Sequence, residues 1–239
     1  MTRIYLSNSL QCGQDLTLDP VITHRLTHVL RLNNGDCFTV FNGNGGEFQA
    51  KIIALKKNSC EIKIGKFSDK NLESPLKIHL GQVISRGEKM DYTIQKATEL
   101  GITTITPLFS EHCNVQLGLD RLRKRIEHWQ ITAITACEQC GRCLIPKIFP
   151  AQNLNDWLHS PLSLTRIMLN NCGIHSLKNI KLEQEITLLV GPEGGFSSEE
   201  ITIAQKNNFI SIKLGPRILR TETAALAAIS ALQILEGDW

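Results

Sequence analysis

The chain has 239 residues, a formal net charge of +3 and 42% apolar residues, enough for one large or two modest domains with a sizeable core. Aromatic residues make up 5%, which argues against a stacking platform for single-stranded RNA, and so small a net charge makes any nucleic-acid surface a local one. No run approaches the roughly eighteen apolar residues of a membrane span. The opening MTRIYLSNSLQCGQDL also lacks a signal-type apolar stretch, so the eight cysteines read as reduced thiols of a cytoplasmic chain.

Residues 1–72 read as a small β-rich module. RIYLS makes a first strand. DPVITHRLTHVLRL makes a short helix, with Asp19 as N-cap and Pro20 at its first position. DCFTVFNG and GGEFQAKIIAL alternate as strands and meet at NGNGG, whose residues accept positive φ cheaply. CEIKIGKF follows, and strands at this spacing predict a small barrel.

SDKNLESP, residues 68–75, is polar, ends in proline and predicts a linker. The pattern then changes to strand–helix alternation over 73–239: strand LKIHLGQVI, helix GEKMDYTIQKATELG with Gly101 at its end, strand TTITPLF and a long helix over 119–141. LTRIMLN, EITLLVG, SEEITIAQKNN, FISIKLG and TETAALAAISALQILEG complete an α/β domain with a mostly parallel sheet. The last of these is apolar on nearly every side, which predicts burial, partly in a homodimer.

CEQCGRC, residues 137–143, resembles part of a metal site. A closed zinc or cubane site takes four protein ligands, and no fourth cysteine is near in sequence. Leu122, Ile126, Trp129, Ala133, Ala136 and Cys140 instead form one helical stripe, so Cys140 is expected in the core, with Gly141 stopping the helix. No metal is expected. Glu138, Gln139 and Arg142 are left as polar groups at a buried helix end that need partners.

Two glycine turns carry more information. In ITLLVGPEGGFSSEE (186–200) an apolar strand runs into Gly191, Pro192, Glu193, Gly194 and Gly195, and Ser197 opens a helix with Glu200 completing a capping box. Ligands in open α/β sheets bind beyond such strand ends. The turn lacks both the G-K-[ST] of a phosphate loop and the G-x-G-x-x-G of a dinucleotide site. ISIKLGPRILRTETA (210–224) repeats the design, with Arg217, Arg220, Thr221, Glu222 and Thr223 in one long connection.

LLVGPEGGFSxxE followed by LGPRILRTETA resembles the small-subunit ribosomal RNA uridine N3-methyltransferases, the RsmE family of the SPOUT class. The likeness extends to RGEKMDYTIQKATELG, SEH, EQCGR and the early HRLTHVLRL, and so covers essentially the whole chain. It implies a PUA-like RNA-binding barrel over 1–72 and a SPOUT domain over 73–239, with a trefoil knot built from segments around 168–172, 190–195 and 213–221. It also implies an S-adenosyl-L-methionine site made by Leu169, Gly191, Pro192, Glu193, Gly194, Leu214, Gly215, Ile218, Leu219, Thr223 and Ala224. His112 stands where the family commonly has arginine.

Uracil N3 is a poor nucleophile until it loses its proton, so a base or a cation facing the developing anion is wanted. Arg220 is the expected cation, with a salt bridge to Glu222 or Glu193 as its alternative role; Glu138 and Glu193 are candidate bases. Arg3, His24, Arg25, His28, Arg31, Arg86, Gln139 and Arg142 are expected to face ribosomal RNA or the small ribosomal particle. The run Arg121, Arg123, Lys124, Arg125 reads as a solvated face. Two other readings compete: a non-catalytic RNA-binding or ribosome-assembly protein, and a metal protein built on the cysteine run.

Overall fold

A computed structural model describes residues 2–56, 58–115 and 118–239. The chain divides into two compact units, one of Met1–Glu73 with Cys137–Ile145, the other of Ser74–Ala136 with Pro146–Trp239. The first unit is therefore not the contiguous stretch 1–72 expected from the sequence: it takes a second, later segment of the chain.

The first unit holds β1 (Arg3–Tyr5), β2 (Asp15–Leu18), α1 (Pro20–His24), β3 (Cys37–Phe41), β4 (Glu47–Lys56) and β5 (Ser59–Ser68). The strands pair in the order β1-β3-β4-β5-β2, with β1 parallel to β3. All five contribute to one core that includes Ile4, Leu18, Phe38, Ile52 and Ile62, so the sheet curls about that core. Among the described residues β1 and β2 do not pair, which leaves the barrel open at that seam. The Asp19 carboxylate accepts the Ile22 N–H at 2.9 Å, and Pro20 begins α1. The expected longer helix gives way to a wide π-type turn, Arg25–Val29, and ends where Arg31 takes φ 54°.

The second unit holds β6 (Lys77–Val83), α2 (Lys89–Glu99), β7 (Thr104–Phe109), most of α3 (Leu119–Cys140), β8 (Lys147–Ile148), β9 (Gln152–Asn153) and α4 (Leu154–Leu158). It continues with β10 (Thr165–Leu169), β11 (Glu185–Val190), α5 (Ser198–Lys206), β12 (Ile210–Ile212) and α6 (Thr221–Glu236). Its sheet is parallel throughout, in the order β12-β10-β11-β6-β7-β8, with β9 also on β7. Ile186–Val190 of β11 are all buried, as a central parallel strand covered on both faces requires. Because β10, β11 and β12 are neighbours and point the same way, their carboxyl ends deliver three loops to one edge. None of the described helices is long and apolar enough to cross a membrane.

One core cluster of this unit includes Val83, Leu108, Trp157, Met168, Leu189 and Phe209. Trp157 lies over β6 where Gly81 leaves room: a Cβ at 81 would stand 2.4 Å from its ring. His79 packs edge-on to the same ring, with centroids 5.5 Å apart, and its Nε2 meets the Thr106 hydroxyl at 2.8 Å.

Burial lowers the His79 pKa to about 4 from the ordinary 6.5. The unfolded chain thus takes up a proton near pH 6.5 that the folded chain refuses until about pH 4. Stability is complete above this window and falls as the pH drops through it, by up to about 3 kcal/mol. Urea midpoints measured across the window are expected to fall for the wild-type protein and to change less for His79→Gln; equal slopes would remove His79 as the cause.

Candidate active site

The first wall of the site is the turn after β11. Gly195 takes φ +72° and its N–H reaches the Pro192 carbonyl at 3.0 Å. Gly191 has no room for a side chain: a Cβ there would meet the Phe196 ring at 2.9 Å. The capping box forms as expected, with Ser197 accepting from the Glu200 N–H at 3.3 Å and Glu200 accepting from the Ser197 N–H at 2.9 Å. The other Glu200 oxygen accepts the Glu111 N–H at 2.8 Å, and His112 Nδ1 lies 3.1 Å from the Gly195 carbonyl oxygen. These contacts hold the 110–113 loop against the turn.

The second wall follows β12, where Gly215 takes φ +75° and Thr221 opens α6. Thr221 is buried, and its hydroxyl donates to the Gly191 carbonyl at 2.7 Å while accepting from Gln82 Nε2 at 3.0 Å. Gln82, on β6, is fully buried and also donates to the Val83 carbonyl at 3.0 Å. A chain of hydrogen bonds therefore runs from the central sheet through the start of α6 to the first glycine turn. The third wall comes from the end of β10, where the Asn170 N–H reaches the Ile212 carbonyl at 2.9 Å.

The three walls enclose a cavity of about 270 Å³. Leu169, Gly191, Pro192, Glu193, Leu214, Ile218, Leu219 and Ala224 line it, and so does Arg220. Gly194 and Gly215 belong to the same turns and Thr223 to the start of α6, but none is in the lining. Gly194 is instead a point of close approach, since a Cβ there would stand 3.2 Å from His112. Asn170, Asn171, Phe196, Ile212, Arg217 and Thr221 also line the cavity. Of these, Asn170 and Asn171 were legible as the polar pair that ends the apolar run LTRIML.

Arg217 and Arg220 are exposed at the cavity, and neither makes an ion pair with the described residues. The alternative salt bridge of Arg220 with Glu222 or Glu193 does not form. Glu193 is taken by Lys89 at 2.7 Å. Partial burial raises its pKa, but the Lys89 hydrogen bond, its own backbone N–H and the charges of Lys89 and Arg86 outweigh burial and hold it below the usual carboxylate range. That makes Glu193 a poor proton acceptor.

Glu138 is corrected. It is buried in the first unit, where Arg25 grips both oxygens at 3.1 and 2.6 Å and the Tyr5 N–H donates at 2.9 Å. It lies outside the cavity lining, and its lone pairs are committed to holding the helix end. Arg3 and Arg142 are corrected as RNA contacts. The Arg3 side chain is 8% exposed, lies over the Phe41 ring and pairs with Glu47 at 3.2 Å. Arg142 is 7% exposed and pairs with Glu73, Nε to Oε2 at 2.9 Å. Both guanidiniums are buried and ion-paired inside the first unit.

The remaining polar candidates are accessible. His24 and His28 stack at 4.5 Å on the outer face of α1 and the turn after it, and Arg31 and Gln139 are exposed. Arg25 keeps 43% of its side chain exposed while pairing with Glu138. Arg86, in the second unit, is exposed and reaches the Asn114 carbonyl at 3.3 Å.

The cysteine run ends α3 at Cys140, and Gly141 takes φ +94° as the stop. Cys137 and Cys143, rather than Cys140, are the buried members, and Cys137 is the deeper. A hydrogen bond with Cys140, then burial, raises the Cys137 pKa, so it stays a thiol. Among the described residues no group of three or more His, Cys, Asp or Glu is placed to hold a metal.

Residues 72–233 match the family described as RNA methyltransferase domain, and residues 24–65 match RNA methyltransferase PUA domain. The chain is 44% identical to "Ribosomal RNA small subunit methyltransferase E" of Buchnera aphidicola subsp. Schizaphis graminum, over 99% of this chain and 97% of that one. Two solved structures share the fold over 100% of this chain and 99% of theirs, each at 39% identity. One is a methyltransferase from Legionella pneumophila in complex with the cofactor SAM, at a TM-score of 0.97. The other is a ribosomal RNA small subunit methyltransferase E from Neisseria gonorrhoeae bound to S-adenosyl methionine, at 0.93.

Proposed function

The chain belongs to the RsmE family of ribosomal RNA methyltransferases, and we propose that it methylates N3 of a uridine in 16S ribosomal RNA, with S-adenosyl-L-methionine as donor, in the cytoplasm. The observation that carries this is the convergence of three loops, with an unpaired Arg220, on one cavity. Its residues suit the donor. Leu169, Ile212, Leu214 and Leu219 offer apolar surface to an adenine ring, and the glycine turns expose backbone groups. A side chain at Gly191 would strike Phe196.

The donor supplies an electrophilic methyl group on a sulfonium. The protein must hold that group in line with the acceptor, and positioning alone supplies much of the rate. Gln82 and Thr221 fix the Gly191 turn and the head of α6, so the walls are set before anything binds. Arg220 faces the cavity and stabilises the negative charge that grows on the uracil ring as N3 loses its proton. Glu193, kept ionised by Lys89, lines the pocket as a fixed charge rather than as a proton acceptor.

Replacing Gln82 by leucine removes one buried link and is expected to weaken adenosylmethionine binding by about tenfold, read by calorimetry. Unchanged affinity would make Gln82 a core residue with no bearing on the site. Function itself is tested with labelled donor and small ribosomal particles from a strain lacking the enzyme, followed by mapping of the modified base. Transfer to another base, or none, overturns the uridine N3 reading.

We also propose that α6 meets a second copy of the chain. Ile234 is 63% exposed and Leu235 44%, and Ala227 is exposed two turns before Ile234. This apolar face suits an isologous dimer. Ile234→Asp is expected to shift the mass measured by light scattering from dimer to monomer.

A further inference from the structure

We propose that a second cavity of this unit, of about 280 Å³, binds a backbone phosphate of the RNA; the inference rests on the RNA-methyltransferase reading and joins Ser85 and Arg125 to Arg86, which that reading already turned toward RNA. The cavity lies at the turn that leads from β6 into α2. Ser85, Arg86, Gly87, Asn114, Arg125 and Trp129 are among its lining.

Four observations point to an anion. Ser85 is 5% exposed, yet its buried hydroxyl has no hydrogen-bond partner among the described residues. Buried hydroxyls are nearly always satisfied, so this one is set for a group that the described residues do not supply. Arg86 is exposed and meets the Asn114 carbonyl at 3.3 and 3.4 Å, long distances that leave its donors available. Arg125 lies 3.9 Å from Asp91 Oδ1, an oxygen already holding the Trp129 indole N–H at 2.8 Å, and Asp91 Oδ2 faces His128 at 3.1 Å. The Arg125 charge is therefore only loosely balanced.

Finally, no side chain caps α2: Glu88 at its N-cap position makes no capping bond. Helix starts favour negative charge. Gly87 takes φ +66°, and a Cβ there would meet nothing within 4 Å, so the turn is open to approach. Two guanidiniums, an unsatisfied hydroxyl and an uncapped helix start make a phosphate-shaped set of donors. Asp91, Glu88, Glu193, His128 and Lys89 are the other charged groups nearby, and the Arg86 charge also acts on Glu193. Asp91 is held by Trp129 and His128, and Lys89 by Glu193.

A phosphodiester of RNA and free phosphate offer the same oxygens, and salt dependence separates them. Binding of a short oligoribonucleotide is measured by fluorescence anisotropy over a range of salt, with inorganic phosphate as competitor, for wild-type protein, Arg86→Ala, Arg125→Ala, the double variant and Ser85→Ala. Each lost arginine is expected to lower the slope of log K against log salt by about one, and Arg86→Lys to restore it. Ser85→Ala is expected to weaken binding by about five- to tenfold with no loss of thermal stability, because the hydroxyl has no partner to lose among the described residues.

An unchanged slope in the double variant overturns the proposal, as does inorganic phosphate binding as tightly as the oligoribonucleotide. Failure of the methyltransferase reading shows separately, as absence of methyl transfer by wild-type protein whose oligoribonucleotide slope still responds to Arg86 and Arg125.

Discussion

Alanine at position 220 is expected to slow methyl transfer by about 100- to 1000-fold while leaving adenosylmethionine bound. Arg220 lines the cavity proposed for the donor and makes no ion pair among the described residues, so in the proposed mechanism its charge is available to a developing uracil anion. Its removal takes away a transition-state contact, which lowers kcat and kcat/KM together and leaves ground-state binding in place. Single-turnover transfer to small ribosomal particles measures the rate, and calorimetry the donor affinity. Arg220→Lys keeps a charge without the planar fork and is expected to fall between the two. A variant that loses donor affinity in proportion to rate would place Arg220 in the binding wall instead.

Trp157→Ala is expected to cost about 3–5 kcal/mol of stability. Trp157 is 1% exposed and packs against Phe209, with centroids 6.0 Å apart, against His79, and over the gap left by Gly81. Gly81→Ala is destabilising by itself, because its Cβ would come 2.4 Å from the tryptophan ring. In the Trp157→Ala background the same methyl enters empty space. A double-mutant cycle by urea unfolding is therefore expected to give a double variant less destabilised than the sum of the singles. Additive effects would mean that the ring and the glycine do not sense one another.

The parallel sheet was legible because its strands are continuous apolar runs bounded by glycine turns. The short strands β2, β8 and β9 and the one-turn helix α4 were not. Their two to five residues carry too little periodicity to stand out from loops, and the pairing of β2 with β5 is a tertiary event. The cavity proposed for the donor lies where the sequence pointed, for the same reason as the sheet: glycine and proline at strand ends mark turns. Gln82 was invisible, since a polar residue inside an apolar strand gives no hint that a hydroxyl 139 residues later will accept its proton.

The largest misreading concerned charge. Glu138 read as a candidate base and Arg3 and Arg142 as RNA contacts, but each meets a partner distant in sequence: Arg25, Glu47 and Glu73. Composition counts such charges, and only the fold shows which of them cancel.

The first unit is assembled from two separated stretches of chain, Met1–Glu73 and Cys137–Ile145. During synthesis, Arg25 and Glu73 must wait for Glu138 and Arg142 to leave the ribosome before their ion pairs can close. By then β6, α2 and β7 have already been translated. The N-terminal unit therefore cannot close these pairs before part of its successor has been translated, and a chain released before residue 138 would leave Arg25 and Glu73 without their counterparts. A nascent-chain length series is the natural place to see this: protection of the first unit from protease should appear late, once the cysteine run has emerged, and not at the end of β5.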